Sequence, residues 1–329
     1  MINVLFLGVD GGATKTVAVV ANEEGELLGK GFSGPVCYHL VGVVRARENL
    51  RRAVEGALRE AGITWEEIDG ICYGLSSVED SPKDTEVIKR FSSEVTPKPF
   101  TLVNDVVNAY YATTYGEPGV AVVAGTGSIA YGRNREGLEV RVGGWGQLVG
   151  DEGSSVYIAK RGLQEACKGY DGRGKWTSLV KLIPKYLGLN DLREVTHKIM
   201  VGELDFSELG KLAQVVVKAS EIGDDVARKI LEEAGEELAL HAIAALRRLR
   251  LRGKVIVGAS GGVFKSGVTL WNAFSSKLRK EYPEARLVGP IYGAQPVAGA
   301  VLLASIKAGR KMEIKALRAL LETLKEVEL

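Results

Sequence analysis

An internal repeat in the first half of the chain constrains the fold more than any other feature of the sequence. When the chain is shifted by 112 residues, seven of the 21 positions from Thr14 to Gly34 meet an identical residue. Composition alone would give only about one or two such matches. We therefore infer two related domains, each opening with a hairpin whose turn is rich in Gly, Thr and Ser. The identical pairs are Thr14/Thr126, Ala18/Ala130, Asn22/Asn134, Glu24/Glu136, Gly25/Gly137, Gly31/Gly143 and Gly34/Gly146.

The hydrophobic pattern around this repeat predicts an α/β fold. Val4–Val9 reads as a buried strand, Asp10-Gly11-Gly12 as a turn and Thr14–Val20 as a second strand. Residues 43–61 have the apolar spacing of an amphipathic helix. Strands and helices alternate further along, with a mostly helical stretch at 176–251 and a closing helix at 313–329. This alternation predicts a mixed sheet with helices on its faces.

Composition excludes several classes of protein. The 43 basic and 41 acidic residues leave a net charge of +2, so nothing attracts nucleic acid in general. Cys37, Cys72 and Cys167 are far apart and follow no CxxC spacing, which argues against a disulfide framework or a zinc ribbon. No apolar run approaches membrane-spanning length and no basic leader precedes the first strand, so we expect a cytoplasmic protein. Scarce Gln with plentiful Lys, Arg and Glu is a bias reported for heat-adapted proteins.

The turn of the first hairpin has the composition of a phosphate-binding loop. Glycine lets the backbone approach a phosphate closely, and the hydroxyl and ammonium groups that follow add donors. The carboxylate of Asp10 would hold a magnesium ion, directly or through its waters. A tight turn with no ligand is the alternative interpretation of Asp10-Gly11-Gly12. The candidate phosphate-binding residues are Asp10, Gly11, Gly12, Thr14, Lys15 and Thr16.

Two further candidate positions follow predicted strands. Asn104-Asp105 comes directly after the strand at 100–103 and before a helix that ends near residue 115. Ser76 follows the strand at 70–75 in the same way. Ligands of open sheets collect at the carboxyl ends of strands, so these side chains are candidates for substrate contacts. The alternative for Asp105 is a helix N-cap.

Glycine-rich segments mark the second copy of the repeat. Gly125-Thr126-Gly127-Ser128 is a turn able to offer backbone N–H groups to a phosphate. Gly143-Gly144-Trp145-Gly146 and Gly150-Asp151-Glu152-Gly153-Ser154 lead into the next helix. Trp145 is either a core residue or a surface against which a sugar ring packs. Asp151 is either the N-cap of that helix or an acceptor for sugar hydroxyls.

A third glycine-rich junction lies near the end of the second half. The predicted strand at 254–258 is followed by Ala259-Ser260-Gly261-Gly262-Val263 at the start of a helix. Such a junction can admit a flat base and a ribose near the N-terminus of a helix.

Taken together, these segments resemble the N-acetylglucosamine kinase family, of the BadF/BadG/BcrA/BcrD ATPase type, within the actin-like superfamily of sugar kinases, actins and chaperones. The resemblance runs through nearly the whole chain in the same order, and the blocks at 143–146 and 150–154 are its most specific part. It implies two ribonuclease-H-like domains with ATP and sugar in the cleft between them, and a homodimer. The first domain would comprise residues 1–115, completed by a C-terminal helix at about 305–329. The second would comprise residues 116–304, with a helical insertion at about 176–251.

The resemblance also implies roles for individual residues. It assigns Asp105 as the general base and Asp10 as the magnesium carboxylate. It assigns the first phosphate loop to Asp10–Thr16 and places the adenosine near Gly261 and Gly262. The second phosphate loop would comprise Thr126, Gly127 and Ser128, and the sugar contacts would be Ser76, Asn104, Asp105, Gly144, Trp145 and Asp151.

The expected function is therefore ATP-dependent phosphorylation of a hexosamine or hexose, with N-acetylglucosamine or glucosamine favoured, at the 6-hydroxyl. One departure leaves the sugar open, because Cys37 stands where the family usually has an asparagine that contacts it. The alternative is a nucleotide-switched ATPase that activates a partner enzyme, as in the activators of 2-hydroxyacyl-CoA dehydratases. Those activators share an iron-sulfur cluster across a dimer, and none of the three cysteines matches its ligands.

Overall fold

The structure is a computed structural model that describes residues 4–310 and 312–327. Its contacts divide the chain into two compact units. The first unit combines the chain up to Ala121 with the chain from Ile291 onward, and the second is Val122–Pro290. Within the described residues the strands form two five-stranded sheets covered by helices, which confirms the α/β class. No helix of the described chain is both long and apolar enough to cross a bilayer.

Ten strands and thirteen α-helices are present in the part of the chain that the structure describes. The strands are β1 (Leu5–Gly11), β2 (Thr16–Asn22), β3 (Leu27–Ser33), β4 (Ile68–Leu75), β5 (Thr101–Val103), β6 (Gly119–Ala124), β7 (Ser128–Arg133), β8 (Glu139–Gly143), β9 (Ile256–Ser260) and β10 (Arg286–Ile291). The helices are α1 (Tyr38–Val41), α2 (Val43–Ala61), α3 (Pro82–Ser93), α4 (Asp105–Thr114), α5 (Ser155–Tyr170), α6 (Leu179–Tyr186), α7 (Leu192–Met200), α8 (Phe206–Lys211), α9 (Ala213–Glu221), α10 (Asp225–Arg248), α11 (Val268–Glu281), α12 (Val297–Lys307) and α13 (Ile314–Lys325).

The two sheets have the same strand order. The first sheet runs β3-β2-β1-β4-β5 and the second runs β8-β7-β6-β9-β10. In the first sheet β1 pairs antiparallel with β2 and parallel with β4, so the sheet is mixed. In both sheets the three strands of the opening meander lie on one side and the two later strands on the other. This agreement supports the two related domains inferred from the repeat.

The repeat extends to the hydrogen bonds of the second turn in each meander. In the first copy the Oδ1 atom of Asn22 accepts the Glu26 N–H at 2.9 Å, and in the second Oδ1 of Asn134 accepts the Leu138 N–H at 2.8 Å. The intervening glycines have φ angles of +82° at Gly25 and +83° at Gly137, in the region that favours glycine. The identities at these positions therefore preserve one particular turn.

The two faces of β1 pack against different helices. Because side chains alternate across a strand, Leu5, Leu7 and Val9 share one face, where they join a core cluster with α2. The opposite face lies against α12, and a Cβ atom on Gly8 would be 2.7 Å from the backbone nitrogen of Val301. Glycine is required there for close contact between strand and helix. Asp10 lies on this second face, at the end of the strand.

In the second unit, the long helix α10 packs closely on α11. A Cβ atom on Gly235 would lie 2.3 Å from the carbonyl oxygen of Leu270, so glycine permits the two helix backbones to approach. Phe264, Trp271 and Phe274 form an aromatic cluster with ring centroids 5.4 to 6.0 Å apart. This packing supports β9 and the junction that follows it.

Several predicted boundaries differ from the structure. Asp10 and Gly11 belong to β1 and not to the turn, because their backbones still pair with Val17 and Thr16. The C-terminal helix expected at about 305–329 is two helices, α12 and α13, with a connection between them. The proposed first strand residue, Val4, precedes β1, and residues 328–329 of the predicted closing helix lie outside the described residues.

Candidate functional site

The first glycine-rich loop joins β1 to β2. The Gly12 N–H donates to the Lys15 carbonyl at 3.0 Å, which closes the turn. A Cβ atom on Gly11 would lie 2.5 Å from Cγ2 of Val36, so a side chain there would displace the segment behind the loop. Gly12 itself has open space around its Cα apart from one carboxylate, described below. The loop therefore exposes backbone that a ligand can approach closely.

The side chains of this loop do not all face outward. Thr14 is exposed, whereas Thr16 is fully buried and its hydroxyl donates to the carbonyl of Gly34 at 2.7 Å. Lys15 donates from Nζ to the carbonyl of Gly293 at 3.2 Å. Phosphate binding by these side chains stays a prediction. In the structure Thr16 stabilises the loop, and Thr14 is the hydroxyl that a ligand can reach directly.

Asp10 is the last residue but one of β1 and is largely buried. Burial raises the pKa of Asp10 to about 6, opposed by a hydrogen bond from Asn108 and by the positive charge of Lys15. The Asn108 amide donates from Nδ2 to Oδ1 of Asp10 at 2.7 Å. The carboxylate is therefore ionised at neutral pH in surroundings that would favour a neighbouring cation.

Asp105 lies beside the same loop. It is the first residue of α4, and a Cβ atom on Gly12 would be 3.7 Å from its Oδ2 atom. Asn104 is the N-cap of this helix, so the alternative role of Asp105 as N-cap is not observed. The Asn104 side chain accepts from the Val106 N–H at 3.1 Å and donates to the Val78 carbonyl at 2.8 Å. A sugar contact at Asn104 stays a prediction, since both ends of its amide already bind the protein.

Ser76 follows β4 and lies next to the first loop. Its N–H donates to the Gly11 carbonyl at 2.8 Å. Its hydroxyl oxygen is buried and has no hydrogen-bond partner within the described chain, which is unusual for a buried polar group. The next residue, Ser77, has a φ angle of +67°, and its Oγ atom lies 3.9 Å from Sγ of Cys37. The structure thus brings Ser76, Asp105, Asp10 and Gly12 together in the first unit.

In the second unit, the loop between β6 and β7 is tied to the start of α5. The Gly125 N–H donates to the Gly127 carbonyl and the Ser155 N–H donates to the Gly125 carbonyl, both at 2.9 Å. The Ser128 hydroxyl donates to the Glu152 carbonyl at 2.7 Å and is buried. Among the predicted phosphate-binding residues here, Thr126 and Gly127 are partly exposed and Ser128 holds the loop in place.

Asp151 connects this loop to the next glycine-rich segment. It is 4% exposed, and a Cβ atom on Gly127 would lie 2.7 Å from its Oδ2 atom. Its Oδ1 atom accepts the Gly146 N–H at 3.3 Å. Burial raises the pKa of Asp151, and backbone N–H groups of Gly146 and Ser128 oppose that rise. Ser154 and not Asp151 is the N-cap of α5.

The segment after β8 presents Trp145 to solvent. Three glycines in four residues have positive φ angles, +75° at Gly143, +69° at Gly144 and +87° at Gly146. Such a chain of left-handed conformations excludes most other residues. The Trp145 side chain is 76% exposed, so its alternative role as a core residue is wrong. An exposed indole on a glycine-built loop is suited to packing against a flat or ring-shaped ligand.

The junction after β9 packs against the end of β6. Gly261 has a φ angle of +106°, and a Cβ atom there would lie 2.3 Å from the Ala124 carbonyl oxygen. Gly262 has open space on its Cα. Both glycines therefore lie close to the Gly125–Ser128 loop within the second unit, which agrees with the proposed adenosine and phosphate positions without testing them.

The sequence reasoning missed Asn108. It lies on α4 three residues after Asp105 and is completely buried. Its amide also donates to the Val9 carbonyl at 3.1 Å, in addition to Asp10. An amide on the largely buried helix that follows the candidate base was the available signal, because buried amides are retained where they have partners.

The residues at Asp10 can accommodate a magnesium ion only together with a ligand. Among the described residues no group of three or more His, Cys, Asp or Glu side chains could hold a metal ion. Mg²⁺ is commonly bound by one or two carboxylates, with phosphate oxygens and waters completing its shell. An oxygen donor at a loop that suits phosphates fits this mode. Asp10 is the residue that would hold the ion.

The fold of the two sheets and their loops is shared with a solved structure. The crystal structure of a Chromobacterium violaceum protein designated an N-acetylglucosamine kinase superposes with a TM-score of 0.73 at 24% identity, covering 91% of this chain and 98% of that one. Residues 7–304 match the BadF/BadG/BcrA/BcrD ATPase family. The chain belongs to this family, which confirms the resemblance seen in the sequence.

Two relatives of the chain carry names that describe kinases. The N-acetylmuramic acid/N-acetylglucosamine kinase of Clostridium acetobutylicum is 31% identical over 284 residues, or 86% of this chain and 92% of the relative. The N-acetyl-D-glucosamine kinase of Dictyostelium discoideum is 29% identical over 314 residues, or 91% of this chain and 97% of the relative. The similarity thus extends over nearly the full length of both relatives.

Proposed function

We propose that this chain is an ATP-dependent kinase that phosphorylates an amino sugar, N-acetylglucosamine or glucosamine, at its 6-hydroxyl. The observation that carries the proposal is the position of Asp105. Its carboxylate lies beside Gly12 in the first glycine-rich loop, where a Cβ atom on that glycine would be 3.7 Å away. A potential proton acceptor next to a potential phosphate-binding loop is the arrangement that phosphoryl transfer to a hydroxyl requires.

Asp105 has the chemistry of the general base in this reaction. The sugar hydroxyl donates its proton to the Asp105 carboxylate as the hydroxyl oxygen bonds to the γ-phosphorus of ATP. The bond from that phosphorus to the β–γ bridging oxygen breaks, and ADP leaves. Because α4 is buried along almost its whole length and capped by Asn104, the carboxylate is held on a rigid element. A base so placed accelerates transfer mainly by orienting the hydroxyl.

Backbone and cationic groups around the phosphates would stabilise the charge that grows during transfer. The first loop lets a phosphate approach its backbone closely at Gly12, where no side chain is in the way, and it carries the exposed hydroxyl of Thr14. Lys15 adds a positive charge near Asp10. Magnesium held by Asp10 would neutralise phosphate charge, which is the usual contribution of the ion in this class of reaction.

The choice of an amino sugar rests on the relatives and on the loop that carries Trp145. Both relatives are named for N-acetylglucosamine kinase activity. Trp145 is presented to solvent by positive-φ glycines on each side, as a ring-packing residue would be. Cys37, which stands where the family usually has asparagine, lies next to Ser77. The sugar tests below therefore compare sugars with and without an N-acetyl group.

The first test is ADP release from ATP and Mg²⁺ in the presence of individual sugars. We expect stimulation by N-acetylglucosamine or glucosamine, and weaker stimulation by N-acetylmannosamine, glucose and mannose. The 6-deoxy analogue of the best substrate should give no stimulation, because it lacks the accepting hydroxyl. ATP turnover that ignores every sugar would contradict the kinase and favour the ATPase that activates a partner enzyme.

The second test removes the proposed base. Asp105→Ala should leave ADP binding intact and reduce sugar phosphorylation by about 10²–10⁴-fold, the usual contribution of a general base. Asp105→Asn is the matched control for shape, and it should lose as much activity because an amide cannot accept the proton at neutral pH. Near-normal turnover in either variant would remove Asp105 from this role.

A further inference from the structure

Asn108 lies one helical turn after Asp105 on α4. Its side-chain amide reaches the carboxylate of Asp10, which lies in β1 just before the first glycine-rich loop. Positions three residues apart share one side of a helix, so the two side chains project from α4 in similar directions. The Asn108 Nδ2 atom donates to Oδ1 of Asp10 at 2.7 Å and to the Val9 carbonyl at 3.1 Å. Both amide protons are therefore used. A flipped amide would set its oxygen against a carbonyl oxygen, so this orientation is fixed.

The neighbouring strand leaves room for this amide. Gly74 of β4 pairs with Asp10 in the sheet register. A Cβ atom on Gly74 would lie 2.1 Å from Nδ2 and 2.2 Å from Oδ1 of Asn108. Every other residue type at position 74 would therefore displace the amide. Gly74 thus leaves the space in which Asn108 donates its N–H group to Asp10.

The Asn108 side chain is unfavourable for the stability of the folded protein in one respect. The Oδ1 atom of Asn108 is buried and has no hydrogen-bond partner within the described part of the chain. A buried acceptor without a partner destabilises the folded state, and an apolar side chain of similar volume would avoid that loss. A purely structural contact between α4 and β1 would not require an amide at this position. The hydrogen bond that the amide donates to the Asp10 carboxylate gives a reason for it.

We propose that Asn108 is a positioning residue that fixes the orientation of the Asp10 carboxylate toward the nucleotide-bound metal ion. Because Asn108 and Asp105 belong to the same buried helix, α4 would set the separation between the metal carboxylate and the general base. This inference rests on the proposed kinase function. Asn108 would hold the two carboxylates of that site in register through its hydrogen bonds to Asp10 and to the Val9 carbonyl.

The experiment measures ADP binding by calorimetry with and without Mg²⁺, which needs no sugar and no turnover. In Asn108→Ala we expect ADP affinity without Mg²⁺ to stay within about twofold of wild type. The additional affinity conferred by Mg²⁺ should fall by about tenfold, and the Mg²⁺ concentration for half-maximal kinase activity should rise by a similar factor. The KM for the sugar should not change.

Two glycine variants separate positioning from general destabilisation. Gly74→Ala keeps Asn108 but pushes its amide away from Asp10, so it should weaken the Mg²⁺ response in the same way. Gly70→Ala is the matched control in the same strand, since its Cβ atom would lie 2.6 Å from the Ala304 carbonyl oxygen, remote from Asp10. It should lower stability and keep the Mg²⁺ response.

The outcomes distinguish a failure of the Asn108 positioning role from a failure of the proposed nucleotide site. A normal Mg²⁺ increment in Asn108→Ala and Gly74→Ala, with wild type responding as expected, overturns the positioning role alone. If wild type binds ADP without any enhancement by Mg²⁺, the proposed nucleotide site is wrong and the positioning role is wrong with it. If Asn108→Ala does not fold, Gly74→Ala and Asn108→Ser carry the test.

Discussion

The buried carboxylate of Asp10 should make the metal-free protein less stable as pH rises, and Asp10→Asn should remove that dependence. Burial raises the pKa of Asp10 from its ordinary 3.8 to about 6 in the folded protein. Between these values the folded state binds more protons than the unfolded state. Stability is therefore lost as pH rises through this window, and the loss is complete above the folded pKa.

The magnitude follows from the two pKa values. The difference between the two pKa values corresponds to about 3 kcal/mol of unfolding free energy at pH 7.5. At pH 5 it corresponds to about 2 kcal/mol, because the unfolded carboxyl is already largely ionised there while the folded one is still protonated. Asparagine at position 10 carries no charge and can still accept the hydrogen bond from Asn108. We therefore expect Asp10→Asn to exceed the stability of wild type by these amounts in the absence of metal.

Urea unfolding in the presence of EDTA measures the difference in unfolding free energy between Asp10→Asn and wild type at pH 5 and at pH 7.5. Asp225→Asn is the control, because that aspartate is exposed on α10 and its side chain is 70% accessible. Adding ADP with Mg²⁺ should stabilise wild type more than Asp10→Asn. The difference in unfolding free energy between the two proteins should therefore become smaller or change sign. Equal unfolding free energies for wild type and Asp10→Asn at pH 7.5 would refute the reasoning, since Asp10 would then not be an energetically unfavourable carboxylate.

Three further predictions concern the loops. Gly261→Ala should lower the free energy of unfolding by about 1–3 kcal/mol and raise the KM for ATP, because it combines a positive φ angle with a backbone clash, whereas Gly262→Ala has open space and should resemble wild type. Thr16→Val should lose about 1–3 kcal/mol of stability in urea unfolding, because the partly buried Gly34 carbonyl loses the donor that the buried Thr16 hydroxyl provides, while Thr14→Val stays within about 0.5 kcal/mol. Trp145→Ala should change unfolding by less than about 0.5 kcal/mol but raise the KM for the sugar, and an unchanged KM would contradict ring packing at this residue.

The order of the elements could be predicted well because it depends on local patterns. The helix predicted at 43–61 agrees with α2, since amphipathic spacing and a closing glycine define both of its ends. The relation between the two meanders could also be predicted from the sequence. The identical residues include Asn22/Asn134 and Gly25/Gly137, which specify the same second turn in each meander. Asp10 was placed in the turn because Asp-Gly-Gly is turn chemistry. The pairing of Asp10 with Val17 extends the strand through Asp10, and the local sequence Asp-Gly-Gly does not reveal this pairing.

The roles of individual polar residues were harder to predict because they depend on contacts between distant segments. Asn108 is useful only because Gly74 leaves room for it, and these positions are far apart in the sequence. Thr14 and Thr16 look alike in the loop, yet strand pairing turns the second into the protein. For Trp145, two opposite environments were compatible with the sequence, and only the positive-φ glycines beside it decide between them.

The composition of the first unit has a consequence for synthesis of the chain on the ribosome. One face of β1 and β4 is covered by α12, which approaches Gly8 within contact of Val301 and Gly70 within contact of Ala304. A nascent chain that has reached only Pro290 lacks this helix, although Val122–Pro290 is by then complete. Vectorial folding would therefore finish the later segment first and leave the earliest strands half-covered until α12 has been synthesised.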